Sequence, residues 1–180
     1  MNRLRLLLPY SVVLATAGLV MSSALAAAPL AAQLPASTRV QVAAITWVVD
    51  SVVLKLRPAP AAVCLSSSTP RRLNGHQAPM RPGVDLDPAT INDIPRSPIP
   101  FRPGSACSSG TTSPRPVLET STRRQAVAVT VGPAQLQGRA RATVEVSFTV
   151  NGRWGGGYHC AAARTRDVWT ITSCTMTWIS

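Results

Sequence analysis

The fold is decided by the stretch TVEVSFTVNGRWGGGYHCAAARTRDVWTITSCTMTW, residues 143–178. Apolar residues occupy the even positions from 144 to 150 and polar residues the odd ones, as in a strand with one buried face. Asn151-Gly152 favours a tight hairpin turn, and it leads into predicted strands over residues 158–164 and 169–178. A further strand is predicted just upstream, where valines alternate over residues 127–131.

A long apolar segment precedes this region at residues 37–56, and its polar residues are spaced as on a helix. Thr38 and Gln41 fit a capping box, and Pro58 ends the element. The many valines favour a strand, but the run is too long for an ordinary one. Residues 61–65 then predict a short buried strand. The expected fold is α+β, with one long N-terminal helix packed on a C-terminal antiparallel sheet of about four strands, broadly a cystatin-like or nuclear transport factor 2-like half-roll.

Ten of the 16 prolines lie between residues 66 and 122, in a Pro/Ser-rich segment that we expect to be irregular. Asp87 followed by Pro88 predicts one short helix within it, capped by the aspartate.

The N-terminus has the order of a secretory signal peptide: a basic start, an apolar stretch and small residues that favour cleavage after Ala26. An uncleaved anchor helix is the alternative. The predicted organisation is a signal peptide at 1–26, a disordered linker at 27–36 and a single α+β domain at 37–180, with no membrane-spanning segment after cleavage. The expected location is periplasmic or extracellular.

The four cysteines contain no Cys-x-x-Cys pair, and in an exported protein an even set predicts two structural disulfides. Cys160 and Cys174 lie equally far in sequence from Asp167, so they face each other across a hairpin centred there. This predicts the pairs Cys160–Cys174 and Cys64–Cys107. A free catalytic cysteine is disfavoured, because Cys64 has apolar neighbours.

Few residues suggest catalysis. His76 and His159 are the only histidines, and neither has a partner at metal-ligand spacing. Asp85 and Asp87 fit a helix cap better than a calcium loop, and no Gly-x-Ser-x-Gly or phosphate-binding motif occurs. No catalytic residue, metal ligand or cofactor is therefore predicted, and the chain is not expected to be an enzyme. A hydrolase that uses His159 or His76 with a nearby acid is the alternative.

The formal charge is +11, and 17 of the 18 basic residues are arginines that are scattered along the chain. Nucleic-acid binding is not expected, because no basic block interleaved with aromatics occurs. Weak binding to lipopolysaccharide, anionic lipid or acidic glycan is compatible with this charge.

Tryptophans crowd the C-terminal region. Trp169 and Trp178 are predicted to pack in the core against the long helix; an aromatic platform on the sheet that binds sugar or peptide is the alternative. Trp154 follows the Asn151-Gly152 turn and precedes three glycines, so we expect it to be exposed at a hairpin tip and regard it as the candidate binding residue.

The chain also resembles a group of uncharacterised small exported bacterial α+β proteins that end in Trp-Ile-Ser. The resemblance covers roughly residues 38–180 and rests on these features: Val63-Cys64-Leu65-Ser66, Asp87-Pro88, Arg102 to Cys107, Tyr158, Trp169 and Trp178-Ile179-Ser180. It implies an exported domain whose final residues belong to the fold, and it implies no activity. The partner is unknown. The expected function is that of a non-enzymatic envelope or secreted module that binds or supports through its sheet face or the Trp154 hairpin.

Overall fold

The computed structural model describes residues 34–68, 72–73, 76–77, 83–108 and 115–180; for 72–73 and 76–77 it describes the backbone alone. The predicted signal peptide lies outside the described residues, as does the predicted linker up to residue 33. The fold below is that of the compact unit Leu34–Ser180.

The helices are α1, Ala36–Ser51, and α2, Pro88–Asp93. A 3₁₀ turn at Val53–Lys55 continues α1, and a second one spans Gly104–Ala106. The helix predicted at residues 37–56 is thus confirmed, apart from its last turn.

The predicted side-chain caps are not formed. Pro35 and Asp87 occupy the N-cap positions of α1 and α2, and neither helix has a side-chain cap bond. Gln41 instead donates a hydrogen bond from Nε2 to the carbonyl of Gly132 (3.0 Å), and so joins α1 to the sheet. Pro88 does take the first helical position of α2, where its missing N–H costs nothing.

The described strands are short in the proline-rich segment and long after it. They are β1 Val63–Ser67, β2 Arg72–Leu73, β3 His76–Gln77, β4 Val84–Asp85, β5 Phe101–Pro103, β6 Cys107–Ser108, β7 Leu118–Glu119, β8 Val127–Val131, β9 Gln135–Gln137, β10 Arg141–Asn151, β11 Trp154–Thr165 and β12 Val168–Ile179.

Eight of these strands form one mixed sheet in the order β12-β11-β10-β8-β1-β4, with β5 also paired to β1 and β9 also paired to β10. The four strands β12, β11, β10 and β8 pair antiparallel with one another in that order. β1 lies parallel to β8 on one side and parallel to β5 on the other.

The predicted half-roll, a helix on an antiparallel sheet of about four strands, is therefore wrong: the protein is mostly sheet, and the sheet has eight strands and is mixed. The four predicted C-terminal strands are present, but β1 extends the sheet past β8 and brings β4 and β5 with it. Pro103 is tolerated in β5 because β5 is an edge strand, which needs backbone bonds on one side only.

The main core lies between α1 and one face of the sheet. Val40, Ile45 and Val48 of α1 are fully buried, and they belong to the same apolar cluster as Val129 of β8 and Val146 of β10. In the described part of the chain, Ala36–Lys55 is the one segment long and apolar enough to cross a membrane by length and composition. Its apolar side chains pack on the sheet, as in the core helix of a folded domain.

A smaller cluster lies on the opposite face, around the disulfide between Cys64 and Cys107. Val117 covers it with only 1% of its surface exposed. Beside this cluster the buried hydroxyls of Ser66 and Thr130 are 3.1 Å apart and satisfy each other across β1 and β8.

The β11–β12 hairpin carries the disulfide between Cys160 and Cys174, so both predicted pairings are confirmed. Its turn, Arg166-Asp167, has positive φ at both residues (48° and 70°), as a type I′ turn requires. The register shifts in β12 between the partners of Ala161 and Ala162 and again between those of Gly157 and Tyr158. Thr172 and Thr177 are the extra residues, and each bulge moves the following side chains to the other face.

Candidate binding surface

Four aromatic rings form a row along the helix side of the sheet. Trp47 of α1 meets Tyr158 edge to face at 5.1 Å, Tyr158 stacks with Phe148 at 6.4 Å, and Phe148 meets Trp154 edge to face at 6.2 Å. Burial raises the pKa of the Tyr158 hydroxyl, which keeps it neutral. Such pairs hold ring positions with about 0.5–1.5 kcal/mol each beyond burial, so Trp154 is supported by the core rather than loose on a turn.

Gly156 makes room for the Phe148 ring in this row. It pairs with Phe148 across the strands, and a Cβ placed on it would lie 3.0 Å from Cε1 of that ring. The small residue lets the Phe148 ring lie against the β11 backbone. Three glycines in a row, which a strand ordinarily disfavours, are thus explained at this position by the close approach of an aromatic ring.

The row ends in exposed apolar side chains. Trp154 is 42% exposed, Met176 is 50% exposed and Ile179 is 68% exposed. Ile179 pairs with Gly156 and Met176 with Tyr158, and Trp154 lies two residues from Gly156 in β11, so all three side chains lie on the helix side of the sheet. We call Trp154, Met176 and Ile179 the tip surface.

Arginines flank the tip surface. Arg153 lies in the hairpin turn, where its N–H donates to Asn151 Oδ1 (2.8 Å), and Arg115 precedes Pro116, which bridges to Asn151. Both arginines are exposed. The tip surface therefore has two exposed arginines beside its Trp154 end, and we call these the rim arginines.

The opposite face of the same strands presents Trp178 and His159. The Trp178 indole lies flat against Gly157, where a Cβ would come within 2.6 Å of its Cδ1. Trp178 is half-buried there, so the prediction that it packs against α1 is wrong. The Thr177 bulge is the cause, because it reverses the face. Trp169 is 6% exposed and belongs to the main core, as predicted.

The alternative hydrolase site would use His159 or His76 with a nearby acid. His159 Nδ1 lies 4.0 Å from Glu145 Oε1, beyond hydrogen-bond length, and the His159 side chain is 46% exposed. The side chain of His76 lies outside the described residues. Among the described residues, no group of three or more His, Cys, Asp or Glu side chains could hold a metal ion.

Two acidic residues have structural roles. Glu119, 6% exposed, accepts hydrogen bonds from Thr122 Oγ1 (2.6 Å) and Arg102 Nε (3.2 Å), and these bonds hold its pKa below the ordinary value. Asp85 accepts from the backbone N–H and hydroxyl of Ser105 (2.7 and 2.5 Å), which lowers its pKa in the same way. Asp85 therefore anchors the 3₁₀ turn before Cys107 and does not cap α2.

Trp154 is exposed at the hairpin tip, as the sequence predicts. Sequence reasoning missed its companions Met176 and Ile179, because simple alternation along β12 fails at the bulges. The signal that could have pointed to them is the absence of charge from residues 168–179. No family model, curated protein or solved structure matches the chain. The resemblance to small exported proteins stays a prediction.

Proposed function

We propose that this protein is a non-catalytic binding module of an oxidising compartment, periplasmic or extracellular, and that it binds a protein partner through the tip surface. The two disulfides are compatible with such a compartment. The observation that carries the proposal is the cluster of Trp154, Met176 and Ile179, exposed by 42%, 50% and 68% at the end of an ordered aromatic row.

The residue types favour a protein over a glycan. Tryptophan and methionine are enriched in the centres of protein interfaces, and isoleucine offers a sugar no hydrogen bond. The rim arginines Arg115 and Arg153 favour an acidic contact surface on the partner. The rigid support from Phe148 lowers the entropic cost of binding, because the Trp154 ring is already positioned.

The test uses matched variants of the exported protein. Ile179→Ser and Val84→Ser remove side chains of similar exposure (68% and 73%), but only the first lies in the tip surface. Each variant is used to capture proteins from extracts of the envelope and of the medium. The partner is the protein that Val84→Ser captures and that Ile179→Ser and Trp154→Ala do not. With that partner purified, each tip variant should weaken binding about tenfold or more, because burying such a side chain is worth about 1.5–3 kcal/mol.

Capture that is the same for all variants would show that the tip surface is not the binding surface. Replacing both histidines, in His76→Ala plus His159→Ala, should leave binding unchanged. Loss of function in that double variant with intact folding would instead support the hydrolase.

The rim arginines support a second candidate, binding to an anionic envelope surface. Sedimentation with vesicles of anionic and of zwitterionic phospholipid distinguishes the two. Salt-sensitive binding to the anionic vesicles alone, weakened by Arg153→Gln, supports the lipid; equal partition into both vesicle types contradicts it.

A further inference from the structure

A groove at the other end of the sheet has the features of a separate ligand site. It has a volume of about 410 Å³ and lies between α1, the residues after α2, and the start of β12. Val42 and Trp47 of α1, Ile171 of β12 and Pro95 form its apolar walls. This volume falls within the range of small-molecule sites.

Two residues that line this groove each carry a covered hydrogen-bond donor with no partner among the residues that the structure describes. In the part of the chain that the structure describes, the buried side-chain N and O atoms without a hydrogen bond are Arg39 Nε and Trp169 Nε1, and both residues line the groove. Trp169 is 94% buried, that is, 6% exposed. Burying a donor without a hydrogen-bond partner destabilises a protein, so native proteins rarely keep one without a use.

Arg39 is anchored close in sequence to Trp169. Arg39 donates from Nη1 to the carbonyl of Asp167 (3.1 Å), two residues before Trp169. This bond fixes the guanidinium without neutralising it, because a carbonyl carries no net charge. The Asp167 carboxylate is instead paired with Arg164. The Arg39 charge is therefore available to an anion.

One further acid faces the groove. Asp93, the last residue of α2, lines the groove and is exposed. Its charge weakens the attraction for an anion, but solvent screens it more than it screens the covered Arg39 Nε.

We propose that this groove binds a small carboxylate with an apolar body, such as a medium-chain fatty acid or an aryl-alkanoic acid. The carboxylate accepts hydrogen bonds from Arg39 Nε and Trp169 Nε1, and the apolar body packs between Val42, Trp47 and Ile171. When the ligand enters, α1 and β12 separate slightly, because Arg39 Nε and Trp169 Nε1 are both covered in the ligand-free protein. The site is distinct from the tip surface and does not depend on its function.

The test is a titration with decanoate, decanol and decyltrimethylammonium, monitored by the indole N–H resonances of the ¹⁵N-labelled protein. Trp169→Phe assigns the Trp169 resonance. Decanoate should shift that resonance downfield and saturably, whereas the alcohol and the ammonium ion should bind at least tenfold more weakly.

Two substitutions that remove charges of opposite sign should change binding in opposite directions. Arg39→Gln should weaken decanoate binding about tenfold or more, and Asp93→Asn should strengthen it about two- to fivefold, since exposed charges contribute about 0.4–1 kcal/mol. Arg124→Gln makes the same change in charge at an exposed position that belongs neither to the groove nor to the tip surface, and it should have no effect. Melting curves show that each variant is folded.

The proposal fails if decanoate leaves the Trp169 resonance unmoved, if decanol binds as well as decanoate, or if Arg39→Gln and Arg124→Gln have equal effects. Because Asp93 is exposed, Asp93→Asn should leave the fold intact, so its effect on binding can be measured even if Arg39→Gln unfolds the protein.

Discussion

Gly157→Ala is the substitution that the structure predicts most specifically. The Trp178 indole lies against Gly157, and a Cβ there would come within 2.6 Å of Cδ1 and 2.7 Å of Cε2. No φ in the left-handed region prevents alanine at this position, so the cost arises from the ring alone. The ring must lift from the sheet.

The magnitude follows from the area that the ring loses. A tryptophan buries about 150–250 Å², and with Trp178 half-buried we take about 100 Å² as its contact with the sheet. At about 25 cal/mol per Å² this contact is worth about 2.5 kcal/mol. Alanine in a strand recovers about 0.5–1 kcal/mol relative to glycine. The expected net loss is about 1.5–2 kcal/mol.

Urea unfolding followed by far-UV circular dichroism measures this loss, and a double-mutant cycle with Trp178→Ala isolates its cause. In the Trp178→Ala background, Gly157→Ala should be neutral or stabilise the protein by up to about 1 kcal/mol, because no ring then opposes the methyl group. Equal destabilisation in both backgrounds would refute the reasoning, and so would a Gly157→Ala protein as stable as the parent.

Two further predictions concern the disulfides and the buried glutamate. Replacing Cys64 and Cys107 by alanine should cost about 4 kcal/mol, and replacing Cys160 and Cys174 about 3 kcal/mol, because the first pair closes the longer loop (43 against 14 residues); denaturant midpoints that rank the pairs in the reverse order would contradict this account. The lowered pKa of Glu119 means that the unfolded chain binds more protons than the folded one near and below pH 4.5, so stability should fall as the pH drops through this range. Glu119→Gln should reduce the pH dependence of the melting temperature between pH 5 and pH 3, and an unchanged slope would show that other groups cause it.

The parts of the fold that could be predicted are those specified by neighbouring residues. Alternation at 144–150, Asn151-Gly152 and the equal spacing of Cys160 and Cys174 about the turn define two hairpins and a crosslink. Cys160 and Cys174 pair although the turn is centred half a residue from Asp167, because the Thr172 bulge compensates for this offset.

The mixed sheet could not be predicted in this way. β1 pairs in parallel with two strands, β5 and β8, that come from distant parts of the chain. Parallel pairing leaves no turn signal in the sequence. The same holds for the candidate sites. The exposure of Trp154 follows from its turn, whereas the unpartnered nitrogens of Arg39 and Trp169 depend on how α1 meets β12.

The place of β1 in the sheet has a consequence for folding kinetics. β1 is fully paired only when Val63 lies beside both Phe101 and Val127, whereas β10, β11 and β12 pair through adjacent hairpins. Non-local pairing is slow, because the loop entropy is lost before the contacts form. Because the chain is synthesised from its N-terminus, the apolar faces of α1 and β1 therefore stay uncovered until the segment up to Val131 has been synthesised. A chaperone that shields this nascent segment should raise the yield of folded protein more than one that acts on the C-terminal hairpins.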